Sequence, residues 1–298
     1  MIYGLIEVEP KINKKKIIIT IIIAVFIIAI IGFAVFYHIN KDKFKGMSVQ
    51  TNTVPEEKVA SSEHVKSEKS KHIAKVNFNP VYTDTGKALR NSIYHSEEKV
   101  AYLTFDDGPS KTVTPLLLDL LKQENIKVTF FVLGARAELN PEILKREYRE
   151  GHFIANHGYS HIYGSIYETP EAVLGEYNKT KETIARILET DYDGHLFRFP
   201  GGSTGGKYKN VKSQAKNILD ENNIAYIDWN SLSSDAAGAK TKEAIIENTK
   251  ETVGDKNSVV ILMHDAGDKI LTYEALPEII SYLREQGYTF KNFYSIIK

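Results

Sequence analysis

Cysteine is absent from the 298 residues, tryptophan occurs once and methionine three times. Disulfides and thiolate chemistry are thereby excluded, and any metal must rest on histidine and carboxylates. An excess of either charge is missing as well, since 38 Lys and Arg face 38 Asp and Glu. A balanced chain lacks the basic surface of a nucleic-acid binder, so no nucleic-acid partner is expected. The balance is global and not local. Residues 1–75 carry 12 Lys against seven acids, a net of +5, and the remainder is net −5. No internal repeat is visible.

What the N-terminal part has is a long apolar run. Residues 17–37, "IIITIIIAVFIIAIIGFAVFY", hold 21 positions without a charge, enough to cross a hydrocarbon core of ~30 Å as a helix. A cleavable signal peptide has a shorter core and a small-x-small cleavage site, and "YHINKDKFK" offers none. Lys11, Lys14, Lys15 and Lys16 precede the run, and Lys41, Lys43 and Lys45 follow it. The excess on the leading side orients the segment with residues 1–16 in the cytoplasm and the rest outside. The expected location is therefore the cell membrane, with a single pass and an extracellular C-terminal part. Residues 38–75 are rich in Lys, Glu and Ser and too poor in large apolar residues to offset the entropy of ordering, which makes them a flexible stalk. From about 76 to 298 the chain has the length and composition of one folded domain.

That domain alternates apolar β-branched runs with amphipathic stretches. Strands are expected at 100–105, 128–133, 153–156, 196–199, 224–229 and 259–263, with a last one at 288–290. Helical spacing recurs in "TVTPLLLDLLKQEN", "TPEAVLGEYNKTKETIARILE", "TKEAIIENTKETV" and "TYEALPEIISYLREQG". Such alternation predicts an α/β fold on a mostly parallel sheet, open or closed into a barrel, with ligand chemistry at the C-terminal strand ends.

The polar residues collect at those ends. Asp106 and Asp107 close the first expected strand, His157 and His161 follow the third, and Arg198 sits at the end of the fourth. Asp228 and Asp235 lie at and after the fifth, and His264 and Asp265 close the sixth. Singly, each has a plain reading: a turn, a surface ion pair, a helix cap. Together, two imidazoles and a carboxylate are three ligands with open positions left for water and substrate, the arrangement of a hydrolytic metal site. A second carboxylate beside them suits a general base, with Arg198 keeping it ionised by lowering its pKa, and a histidine from the facing wall suits a general acid.

The strings "TFDDGP", "HGYSH", "RFPGG" and "LMH", in this order, resemble the polysaccharide deacetylase family, also called the NodB-homology domain or carbohydrate esterase family 4. The resemblance runs from about residue 97 to 298. It implies a distorted (β/α) barrel of about seven units. It implies one divalent metal, usually Zn²⁺ and otherwise Co²⁺ or Ni²⁺, on Asp107, His157 and His161. Asp106 becomes the general base paired to Arg198, His264 the general acid oriented by Asp235, and Leu262 the wall for the acetyl methyl. Two positions depart from the family pattern. Gly201 stands where a tyrosine commonly supplies a backbone N–H to the oxyanion, and Ala236 stands where a tryptophan commonly follows the aspartate. Trp229, upstream, is the candidate for aromatic substrate-binding surface. The implied activity is removal of N-acetyl groups from a cell-surface polysaccharide, first of all N-acetylglucosamine or N-acetylmuramic acid of peptidoglycan. The alternatives are poly-N-acetylglucosamine, chitin oligomers, acetylated xylan, or a wall-binding module on an inactive copy of the fold.

Overall fold

The computed structural model describes residues 80–297. The membrane-spanning segment expected over 17–37 and the stalk expected over 38–75 lie outside the described residues. The central strand β1 (Val100–Asp106) is buried along its whole length, which is why its sequence is nearly continuous in apolar residues. Around it lie β2 (Thr129–Val132), β3 (Phe153–Asn156), β4 (Leu196–Phe197), β5 (Ala225–Tyr226), β6 (Ser231–Leu232), β7 (Ser258–His264) and β8 (Thr289–Phe290). Every pairing is parallel. The order is β5-β4-β3-β2-β1-β7-β6, and β8 lies beside the first two residues of β1. β5 and β6 are neighbours in sequence but end up at opposite edges, so the curled sheet is a half-barrel rather than a closed one.

Strand β6 was not expected from the sequence. Its two residues are flanked by serine and asparagine and show no apolar run, and it forms because Ser231 and Leu232 pair with Ile261 and Leu262. The expected strand over 224–229 ends at Tyr226, which leaves Asp228 and Trp229 to shape the rim.

The pleat divides the core into two layers. Ala101, Leu103 and Phe105 face outward, packing with Leu117, Leu118 and Leu121 of α1 (Thr114–Gln123) and Ile279 and Leu283 of α2 (Ile270–Glu285). Val100 and Tyr102 face inward with Phe131, Phe153, Leu196 and Val260, where Tyr82, Ile93 and Phe293 complete the layer on the concave side of the sheet. By the same alternation Thr104 and Asp106 point inward. Burial of the outer residues supplies the stability that holds the strand ends in place. Phe105 is wholly buried, so Phe105→Ala is expected to cost about 3–5 kcal/mol, read as a lowered urea midpoint with unchanged slope.

Candidate active site

Each titratable residue singled out above stands at or just past the C-terminal end of a strand, and the ladder itself carries it there. The His157 N–H donates to the Val132 carbonyl, and the Arg198 N–H donates to the Asn156 carbonyl, at 2.9 and 3.0 Å. Asp106 and His264 are register partners on β1 and β7. Parallel pairing thus brings residues separated by up to about 160 positions to one mouth.

Past Asp106 the strand breaks sharply. Asp107 has a φ of 75° and His161 one of 57°, a left-handed conformation that costs of order 1 kcal/mol or more outside glycine. Gly108 follows, and a Cβ there would stand 2.0–2.4 Å from the Asp265 carboxylate, so no other residue fits. The turn swings Asp107 away from Asp106. Its Oδ1 lies 3.3 Å from His161 Nε2 and 3.6 Å from His157 Nε2. That oxygen is buried and accepts no hydrogen bond.

These three residues fit a divalent ion. Ligand atoms about 2.0–2.1 Å from a tetrahedral centre stand roughly 3.3–3.4 Å apart, close to the two separations found. The His157 Nδ1–H donates to the Arg198 carbonyl at 2.8 Å, which leaves the Nε2 lone pair facing Asp107. Burial pushes the His157 imidazolium down to about 3, against the opposing attraction of Asp107. The ring is therefore neutral, as a ligand must be. Glu176 shapes the rest of this loop, accepting from the Tyr159 and Ser160 N–H groups at 2.6 and 2.8 Å. Nothing in the sequence marked Glu176 for that task.

Asp106, 2% exposed, is held from the other side. Arg198 is completely buried and donates to Asp106 Oδ1 at 2.8 Å and to Thr104 Oγ1 at 2.7 Å. Its remaining nitrogens reach the Ile227 and Asp228 carbonyls, and its guanidinium lies 3.9 Å from the Phe131 ring centre. The free Asp106 Oδ2 faces the cluster, 3.7 Å from His157 Nε2. The pairing with Arg198 is as expected, but the direction of the pKa is not. Burial pushes the Asp106 carboxyl above its ordinary value, and Arg198 and His264 offset that only in part.

On the facing wall, the His264 Nδ1–H and backbone N–H donate to the two carboxylate oxygens of Asp235, both at 2.8 Å, and Thr272 donates to Oδ2 at 2.8 Å. Asp235 therefore holds the His264 ring in one orientation. Burial alone would disfavour the imidazolium. The hydrogen bond and charge of Asp235, with Asp106 and Asp107 beyond, outweigh it and push His264 up to about 9. Leu262 lies two residues earlier on the same face of β7. Asp265 caps no helix, since the helix that follows it, α2, has Lys269 at its N-cap. It is buried under the Asp107–Gly108 turn, accepting from Thr114 and donating its N–H to the Asp106 carbonyl at 3.1 Å.

The loop after Arg198 forms the third wall. Gly201 and Gly202 both have positive φ, 71° and 79°, and the Gly201 N–H has no protein partner among the described residues. Lys212 donates to the Gly202 carbonyl at 2.7 Å, and the Tyr167 hydroxyl donates to the Pro200 carbonyl at 2.7 Å. Asp228 does not join the Asp-His-His cluster. Its carboxylate accepts from the N–H and hydroxyl of Ser203 and so pins this loop. Trp229 lies beneath it, 5.8 Å from Arg198 and 3.3 Å from where a Gly202 Cβ would stand.

A parallel α/β half-barrel whose mouth joins an Asp-His-His cluster to a buried Asp-Arg pair and a His-Asp pair defines a hydrolytic enzyme class. The family model for polysaccharide deacetylase matches residues 94–218. A peptidoglycan-N-acetylglucosamine deacetylase of Bacillus cereus is 33% identical over 278 residues, 91% of each chain. Among solved structures, a Streptococcus mutans CE4 esterase superposes with a TM-score of 0.64 at 28% identity, over 71% of this chain and 92% of that one. The catalytic domain of a peptidoglycan N-acetylglucosamine deacetylase from Eubacterium rectale gives 0.60 at 32% identity, over 66% and 90%. The chain belongs to the polysaccharide deacetylase family and is an enzyme of that class.

The charge on His264 depends on Asp235, and this sets an expected pH profile. The His264 imidazolium is present below about 9 and lost as pH rises through that value. Asp235→Asn removes the charge that overcomes burial, so the alkaline limb of kcat/KM should move down by about one unit or more. A limb left in place would show that Asp235 does not set it.

Proposed function

We propose that this enzyme is a metal-dependent hydrolase that removes the N-acetyl group from N-acetylglucosamine in peptidoglycan. The observation that carries the chemistry is the buried, unpartnered Asp107 Oδ1 facing two histidine nitrogens. The substrate reading is supported by the likeness to a peptidoglycan-N-acetylglucosamine deacetylase over 91% of both chains.

Asp107, His157 and His161 would hold the divalent ion, with Zn²⁺ the first expectation from an imidazole and carboxylate set. When bound there, the ion supplies Lewis acidity, making a water more acidic and polarising the acyl carbonyl. Asp106 acts as general base: Oδ1 is committed to Arg198, which leaves Oδ2 to take the proton of the attacking water. A base pushed above the usual carboxylate range by burial is better matched to neutral pH, and it loses function as pH falls through its pKa. The free Gly201 N–H donates to the developing oxyanion. His264, charged and oriented by Asp235, protonates the departing amine. Leu262 lines the space for the acetyl methyl, and Trp229 adds an aromatic surface under the glycine loop.

Residues 17–37 anchor the chain and 38–75 act as the stalk, which places the catalytic domain (76–298) outside the membrane against the wall. Purified enzyme loaded with Zn²⁺ is expected to release acetate from peptidoglycan and from N-acetylglucosamine oligomers, measured by mass spectrometry. Release from acetylated xylan alone, or from no polymer, would overturn the substrate reading. Asp106→Asn should lose at least about 10²-fold in kcat while still binding metal. His157→Ala and His161→Ala should lose the metal itself, measured by elemental analysis after dialysis.

A further inference from the structure

The loop that follows His161 leaves a large aromatic side chain at the mouth whose polar end has no partner among the described residues. Tyr163, at the start of a four-residue helical turn, Tyr163–Ile166, is 39% exposed. Its ring meets the His161 ring edge-on at 5.5 Å and rests on Tyr167 at 5.8 Å and Tyr208 at 6.5 Å. Tyr167 is itself fixed, because its hydroxyl donates to the Pro200 carbonyl. The ring of Tyr163 is thus braced on three sides, while its hydroxyl makes no hydrogen bond among the described residues.

That hydroxyl occupies a particular place. A Cβ added at Gly201 would lie 2.7 Å from Tyr163 Oη and 3.3 Å from two atoms of its ring. Position 201 and Tyr163 therefore compete for one volume, beside the free Gly201 N–H and next to a residue of the Asp-His-His cluster. A braced, half-exposed aromatic ring with an open hydroxyl suits a sugar, whose faces pack on aromatic rings and whose edges accept and donate hydrogen bonds.

We propose that Tyr163 is a specificity-determining residue whose ring is the wall against which the acetylated sugar packs, and whose hydroxyl donates a hydrogen bond to that sugar. Glycine at 201 is what leaves room for it. The proposal rests on the reading of the substrate as an N-acetylated glycan.

The test compares wild type with Tyr163→Ala, Tyr163→Phe, Gly201→Ala and the Tyr163→Ala/Gly201→Ala double variant. Binding of an N-acetylglucosamine tetramer is measured by calorimetry, and turnover of the tetramer and of a small acetyl ester without a sugar by acetate release. Tyr163→Ala should weaken tetramer binding and raise KM by about 10-fold or more, with kcat and ester hydrolysis changed less than about threefold. Tyr163→Phe should fall between the two. Gly201→Ala should also weaken binding, but add little to Tyr163→Ala, because the contested volume is then empty; backbone strain at 201 cancels in the cycle. Unchanged tetramer binding in Tyr163→Ala, an equal loss on ester and tetramer, or additive losses would each overturn the proposal. Wild type that binds the tetramer without deacetylating it would instead sink the proposed function and leave the role of Tyr163 to the binding series.

Discussion

The arrangement of the mouth depends on one buried ion pair, Arg198 with Asp106. Two charges without water are expensive, and such a pair survives only when its remaining hydrogen-bonding capacity is filled. Arg198 fills its own through Thr104 and two carbonyls, over the face of Phe131. Four strands are committed by that single side chain: β1 through Thr104 and Asp106, β2 through Phe131, β4 by leading into it, and β5 by leading into Ile227 and Asp228. Its carbonyl also fixes the His157 ring. The orientation of Asp106 and the tautomer of a cluster histidine are therefore set by one residue.

Electrostatics on the two walls run in opposite senses. His264 gains more from Asp235, Asp106 and Asp107 than it loses by burial, and it stays charged. Asp106 loses more by burial than Arg198 returns, and His157 is held neutral. Groups pushed apart in this way hold different protonation states at one pH, which is what separate acid and base roles require. Two adjacent carboxylates at Asp106 and Asp107 are compatible because the left-handed turn at Asp107 separates them, one toward a guanidinium and one toward two imidazoles.

The departures from the family pattern also find a physical setting. Gly201 does not leave a void, since the Tyr163 hydroxyl stands where a side chain would begin. Ala236 is exposed beyond Asp235, whose own contacts with His264 and Thr272 are complete without a neighbouring ring.

The sequence by itself determined the alternation of strands and helices, because apolar periodicity and turn residues are local, and it brought the catalytic candidates to strand ends. The four motifs hold the residues that the fold gathers at the mouth: Asp107, His157 and His161, the Asp106–Arg198 pair, and His264. Other features were decided only by tertiary structure. β6 has too little apolar sequence to announce itself and exists through its pairing with β7. The rise in Asp106 follows from desolvation, which no neighbour in the chain reveals. Asp228 and Asp265 share the strand-end placement of Asp106 and Asp235, yet one ties down a loop and the other supports a turn. Tyr163 lies two residues from a cluster histidine, but its closeness to Gly201, 38 positions away, comes from how the β3 and β4 loops fold over the same mouth. Local pattern says which residues arrive at the mouth; burial and packing say what each one does there.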